Sequence, residues 1–253
     1  MDEVLTQAFW VGLAKIIGVN IVLSGDNAVV IALAARSLPP KQQKQAIFWG
    51  AGAAVVIRIV LTIFAVALLS LPWLKLIGAA LLFWIGVKLL IPEEGGGDID
   101  ASDNLIAAIK TILIADLVMS LDNVIAVAAA AGGSYVLLIL GLAISIPLVV
   151  FGATLLIKVM ERWPIIITIG AALIGWVAGE MAVTDPAIEG WLRMHFDFVN
   201  NRPVLAAVSL ELICGTLGAA FVVIAGMRFA KRKGVAAAAA HGEARVPDSA
   251  PEP

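Results

Sequence analysis

The chain has 253 residues, of which 61% are apolar and 14% charged, and its mean hydropathy is +1.01. Soluble domains run about 45–50% apolar and about 25% charged. The excess excludes an ordinary soluble enzyme, a disordered chain and a basic nucleic-acid binder. The net charge of −2 points to no anionic partner. The single Cys214 excludes a disulfide framework or a cysteine metal cluster.

A bilayer-crossing helix needs about 20 mostly apolar residues. Seven segments qualify: 9–35, 46–69, 74–91, 105–131, 135–160, 164–183 and 204–230. None shows the period-2 pattern of a membrane barrel, so all seven are expected to be helices. The first is too long for a signal peptide and lacks a cleavage site, so it is expected to remain in the mature chain. Pro39–Pro40, Pro72, Gly132–Gly133 and Pro164 mark the turns. Residues 93–104 (EEGGGDIDASDN) read as an acidic linker, and 184–203 as an amphipathic external loop along the interface. Residues 231–253 read as a basic and then disordered tail. Arg36, Lys41 and Lys44, then Lys158 and Arg162, then Arg228, Lys231, Arg232 and Lys233 follow alternate spans. By the positive-inside rule the N-terminus lies outside and the C-terminus in the cytoplasm.

The chain repeats itself. The sequence around SGDN at 24–27 matches that around SLDN at 120–123, pairing Asn20 with Asp116, Ser24 with Ser120, Asp26 with Asp122 and Asn27 with Asn123. IGAALLFW at 77–84 matches IGAALIGW at 169–176 in the same order. The unit is therefore three spans: 1–92 form one copy and 105–183 the other. An odd number of spans forces the second copy to enter from the opposite side. The predicted fold is an all-α membrane protein with two inverted three-helix repeats and an extra seventh helix at 204–230. That is a plan of secondary transporters, which bind cargo near the midplane at the repeat interface.

A carboxylate at this depth costs about 2.5–3.5 kcal/mol on insertion scales, so Asp26, Asp116 and Asp122 call for a function. At about 100° per residue, Asn20, Ser24 and Asn27 share a helix face, as do Asp116, Ser120 and Asn123. Asp26 and Asp122 sit one residue round. They reach the same site from the flank, or where the helix unwinds; Gly25 permits that in span one, whereas Leu121 takes its place in span four. Together these residues, with the Met119 sulfur in support, offer the oxygen ligands that hard divalent cations prefer. The alternative is that they are interhelical hydrogen-bonding groups. Arg58, in span two, has no basic counterpart in span five. It serves as a charge partner for a carboxylate, or competes with a bound cation. Glu180 and Glu211 are either proton-relay groups or residues of the outer interface.

SGDN and SLDN within a seven-span inverted repeat resemble the TerC family of integral membrane proteins, in particular its short YjbE-type branch. The likeness covers roughly residues 5–230. It implies export of divalent metal, chiefly manganese, as a transported ion rather than a prosthetic group. Proton exchange is the expected driving reaction, because buried carboxylates bind both metal and proton. The expected location is the inner (plasma) membrane, with lipid and metal ion as partners, no nucleic acid, and a homo-oligomer as an open possibility. In the family pattern an acidic residue precedes each DN by six positions. Asp116 fits; Asn20 departs from it and leaves the site one negative charge short. Two other readings stand beside this one: an exporter of a small organic solute, and a non-transporting partner that aids metal loading of exported proteins. An enzyme is not expected, because the chain has no nucleophile–base pair, no H-E-x-x-H and no nucleotide loop.

Overall fold

The computed structural model describes residues 7–91, 101–199, 202–205 and 208–243. The core of the acidic linker, 92–100, and the last part of the tail, 244–253, lie outside the described residues. Ten helices occur among the described residues. Helices α1 (Gln7–Leu23) and α2 (Gly25–Ala35) form one bent pair, followed by α3 (Pro40–Ile63), the short α4 (Ala65–Leu69) and α5 (Leu74–Leu90). Then come α6 (Ala101–Ala131), α7 (Tyr135–Arg162), α8 (Ile165–Val183), α9 (Pro186–His195) and α10 (Leu210–Glu243).

Five helices are long and apolar enough to cross a membrane, or six if the bent pair α1–α2 is one span. The protein is thus an integral, multi-pass membrane protein. Its surface bears this out: Trp49, Ile125, Phe151 and Phe221 are each more than half exposed, whereas Asn20, Ser24, Arg58, Asp116 and Ser120 are buried. Apolar groups outside and polar groups inside suit a lipid solvent.

The chain punctuates these helices as its residue types dictate. Pro40 occupies the first turn of α3, where its missing N–H costs nothing. Gly132 and Gly133, at φ +56° and +85°, make the turn from α6 to α7. Helix α6 starts at Ala101, inside the stretch the sequence assigns to the linker.

Three further expectations are corrected. Residues 184–203 are not a plain loop: they hold α9 and part of a small antiparallel sheet of order β1-β2-β3, with β1 at Asp197–Val199, β2 at Arg202–Leu205 and β3 at Val208–Ser209. Apart from these short strands the regular structure of the described residues is all helical, as expected. The last span begins at Leu210 rather than 204, because Val204 pairs with Asp197 and Ser209 in that sheet. Its membrane-crossing part ends at Arg232, close to the expected 230, while the helix itself runs on to Glu243. The alanine run at 236–240 has the highest helix propensity of any residue type, so it prolongs the helix where low complexity suggested disorder.

Helices α1, α2, α3, α6 and α7 pack together, and α5, α8 and α10 form a second group. In that second group Gly179 lies so close to α10 that a Cβ there would overlap the Cys214 carbonyl; small residues let the two backbones meet.

Asp185, between α8 and α9, locks one end of the bundle. Its Oδ1 accepts from the N–H groups of Ala187 (2.7 Å) and Trp73 (2.9 Å), and its Oδ2 from Leu76 (3.1 Å). One carboxylate thus caps two helices, α9 and α5, and holds Trp73 at the unusual φ of 71°. Because it ties the end of α8 to the start of α5, these two helices run antiparallel. At the other end Arg36 Nη2 donates to Leu89 O (2.8 Å), bringing the ends of α2 and α5 together.

Burial works against ionisation of Asp185, but the backbone N–H groups of Ala187, Trp73 and Leu76 outweigh it and hold the carboxyl below the ordinary carboxylate range. A lowered folded-state pKa gives stability that is whole above about pH 4 and is lost as the pH falls through the folded value. Melting curves in detergent should show Asp185→Ala less stable than wild type at neutral pH, by about 1–2 kcal/mol, and converging with it in acid. A constant gap down to the lowest accessible pH would count against the clasp.

Candidate functional site

The site is built where α1 breaks. Helices α1 and α2 meet at a bend of 50°. Ser24, at the break, donates its N–H to Ile21 O (3.3 Å), a tightened last turn, while its own carbonyl starts α2 by accepting from Ala28 (3.0 Å). Gly25 is the first residue of α2, at the unwinding point the sequence suggests. The equivalent stretch of α6, with Leu121 in place of glycine, is unbroken.

At the break the Leu23 carbonyl takes side-chain donors. Asn27 Nδ2 (3.4 Å) and Asn123 Nδ2 (3.3 Å) both donate to it. Two asparagines at matching positions of the repeat therefore meet on one oxygen. Asn27 Oδ1 is buried, and among the described residues no donor reaches it.

Beside the break lies a buried polar network centred on Arg58. Its Nη2 donates to Asp116 Oδ1 (2.6 Å), its Nη1 to Asn20 Oδ1 (2.8 Å) and Ser24 Oγ (3.0 Å), and its Nε to Ser120 Oγ (3.0 Å). Ser24 Oγ donates to Asn20 Oδ1 (3.3 Å), and Ser120 Oγ to Asp116 Oδ2 (3.2 Å). Asn20–Ser24 and Asp116–Ser120 are the same pair, four residues apart, in the two repeats. One guanidinium is gripped by both. Arg58 and Asp116 are each about 5% exposed, so this is a fully buried ion pair. It settles the partner of Arg58, which the sequence left open.

A cavity of about 20 Å³ adjoins the network, lined by Asn20, Ser24, Asn27, Arg58 and Asp116 and by apolar groups including Ala54 and Val149. A water-sized particle needs about 10–15 Å³.

Other residues singled out in the sequence stand further off. Asp26 is half-buried in the first turn of α2; its Oδ1 accepts from Asn27 N (2.8 Å), and it does not line the cavity. A carboxylate there offsets the positive end of the helix. The backbone of Asp122 lies within α6, while its side chain lies outside the described residues. Met119 is packed in the main apolar core and does not line the cavity. Glu211 is in the first turn of α10 and pairs with Arg202 of β2 (3.3 Å). Among the described residues, no three of His, Cys, Asp and Glu are grouped to hold a metal ion. Ligands in the cavity would come from amides, hydroxyls and a single carboxylate. Asp185 escaped the sequence reading, although Asp followed by Pro186 is a helix-start signal.

This architecture is a helical, multi-pass membrane protein with a polar centre. The chain belongs to the integral membrane protein TerC family, whose pattern it matches over residues 5–234. It is 41% identical to the "Uncharacterized membrane protein YjbE" of Bacillus subtilis (strain 168), over 81% of this chain and 94% of that protein. It is 28% identical to the "Uncharacterized membrane protein YceF" of the same organism, over 71% of this chain and 74% of that protein. The "Uncharacterized membrane protein YkoY", again from that organism, is 25% identical over 85% of this chain and 74% of its own length. No solved structure matches the chain.

Proposed function

We propose that the protein is a secondary transporter, not an enzyme, that exports divalent metal cations, manganese foremost, through the cavity beside Arg58 and Asp116, by proton exchange. The observation that carries this reading is Asn27 Oδ1. Among the described residues it is a buried acceptor without a donor, and Asn27 lines a cavity together with Asn20, Ser24 and Asp116. A buried polar atom left unsatisfied is costly, and a hard cation satisfies several oxygens at once. The cavity's size favours a single ion over an organic solute. First-row affinity order disfavours manganese, so selection rests on the geometry of these oxygens.

The packing supports seven spans in two inverted repeats, with α1–α2, α3 and α5 in one copy and α6, α7 and α8 in the other. Helix α3 packs on α6, as α1 and α2 pack on α7. Helix α5 packs on α6 as well as α8, and α2 also packs on α8. Exchanging the copies leaves this set of neighbours unchanged. We place the N-terminus outside and the C-terminus in the cytoplasm of the plasma membrane, from the basic loops.

Everted vesicles test the reading. Wild type should accumulate manganese, and Asp116→Asn and Asn27→Ala should each lower the flux by about tenfold or more, since each removes an oxygen ligand from the cavity wall. Purified wild type should be stabilised by manganese and not by lysine. Flux unchanged in both variants, with no manganese stabilisation, would overturn the proposal.

A further inference from the structure

We infer that Arg58 is a tethered cation that competes with the cargo for one set of oxygen ligands, and so determines which ions the site accepts. This rests on the divalent-cation reading above and adds a specificity-determining residue to it.

The guanidinium is bonded to Asn20 Oδ1, Ser24 Oγ, Ser120 Oγ and Asp116 Oδ1. Of these four residues, Asn20, Ser24 and Asp116 also line the cavity, and Arg58 forms part of its wall. An ion coordinated by Asp116 and Asn20 therefore has to displace the guanidinium from them. The bonds to Arg58 come from both repeats, so moving the side chain frees ligands on α1 and α6 together.

Charge decides which ions can do this. Asn20 is neutral, so Asp116 and Arg58 leave the network with no net charge. A monovalent ion brings no more charge than the guanidinium and makes no directed hydrogen bonds, so it does not win the exchange. A divalent ion brings twice the charge to the same carboxylate. Arginine stays protonated in proteins, so it leaves the site by moving rather than by losing its charge. Returning to Asp116, the guanidinium would help expel the cargo, and a transport site must release its ion as well as bind it.

The experiment is a manganese titration of purified wild type, Arg58→Gln and Arg58→Lys in detergent, with and without excess sodium. Arg58→Gln should bind manganese about tenfold or more tightly than wild type, and sodium should compete with manganese in this variant alone. Arg58→Lys should bind severalfold more tightly than wild type, because an ammonium does not reproduce the planar fork that engages both repeats. If Arg58 were only a structural brace, its removal would weaken binding. Binding unchanged or weaker in the folded variants, without sodium competition, overturns the inference and leaves the transport reading intact. If Arg58→Gln does not fold, Arg58→Lys decides alone by its affinity. No manganese binding by wild type or either variant overturns both.

Discussion

Asp116→Ala should be the most destabilising single substitution in the polar centre. It removes the carboxylate from a pair in which both side chains are about 5% exposed and leaves Arg58 charged among apolar helices. Breaking a buried pair by deleting one partner costs about 3–5 kcal/mol, because the charge left behind is uncompensated. Two features make this the worse half to lose. A carboxyl group can take up a proton and shed its charge, whereas a guanidinium cannot. Asp116 also accepts from Ser120, which loses that acceptor. The expected result is a protein that melts far below wild type or is not recovered monodisperse. Replacing both partners, with Arg58→Met and Asp116→Leu, should restore much of the stability, since apolar replacement of a buried pair is often neutral or stabilising. The double variant should still fail to transport manganese. A double-mutant cycle measured by melting temperature isolates the coupling. An Asp116→Ala protein as stable as wild type would mean that Arg58 finds another counter-charge.

The polar centre was legible in the sequence because lipid-spanning helices hold few polar residues, so each one that survives stands out. The repeat did the rest: aligning SGDN with SLDN paired Asn20 with Asp116 and Ser24 with Ser120, and the structure places both pairs on one guanidinium. Asp26, which the sequence brings to the site from the flank or by local unwinding, is half-buried beside the break and accepts from Asn27 N without lining the cavity. Arg58 was visible as a charge, but its partner was not. Three carboxylates lay on two candidate segments, and only tertiary packing selects among them. The corrections fall outside the membrane, where hydropathy no longer speaks. Residues 197–199, 202–205 and 208–209 form short strands that pair with one another and carry no long apolar pattern. Asp185 looks like an ordinary cap in sequence, yet its reach to Trp73 and Leu76 spans over a hundred positions of chain.

Asn20→Asp restores the acidic residue of the family pattern, and should change binding more than any other conservative substitution at the site. Asn20 Oδ1 already accepts from Arg58 Nη1, so the new carboxylate strengthens the hold on the guanidinium as well as on any incoming cation. The two effects oppose each other, and charge decides between them. At similar distances, an added negative charge attracts a divalent ion twice as strongly as it attracts a guanidinium. The exchange therefore moves towards cargo. We expect manganese affinity at neutral pH to rise by about tenfold, equivalent to roughly 1.4 kcal/mol. The gain should fade as acid protonates the new carboxylate, so the ratio of variant to wild-type affinity should fall as the pH falls. Flux should not rise with affinity, because an ion held more tightly leaves more slowly. Titrations and everted-vesicle transport across pH check all three effects. A variant matching wild type in affinity and flux at every pH would remove Asn20 from the site and leave Asp116, with Asn27 and Ser24, to carry the coordination.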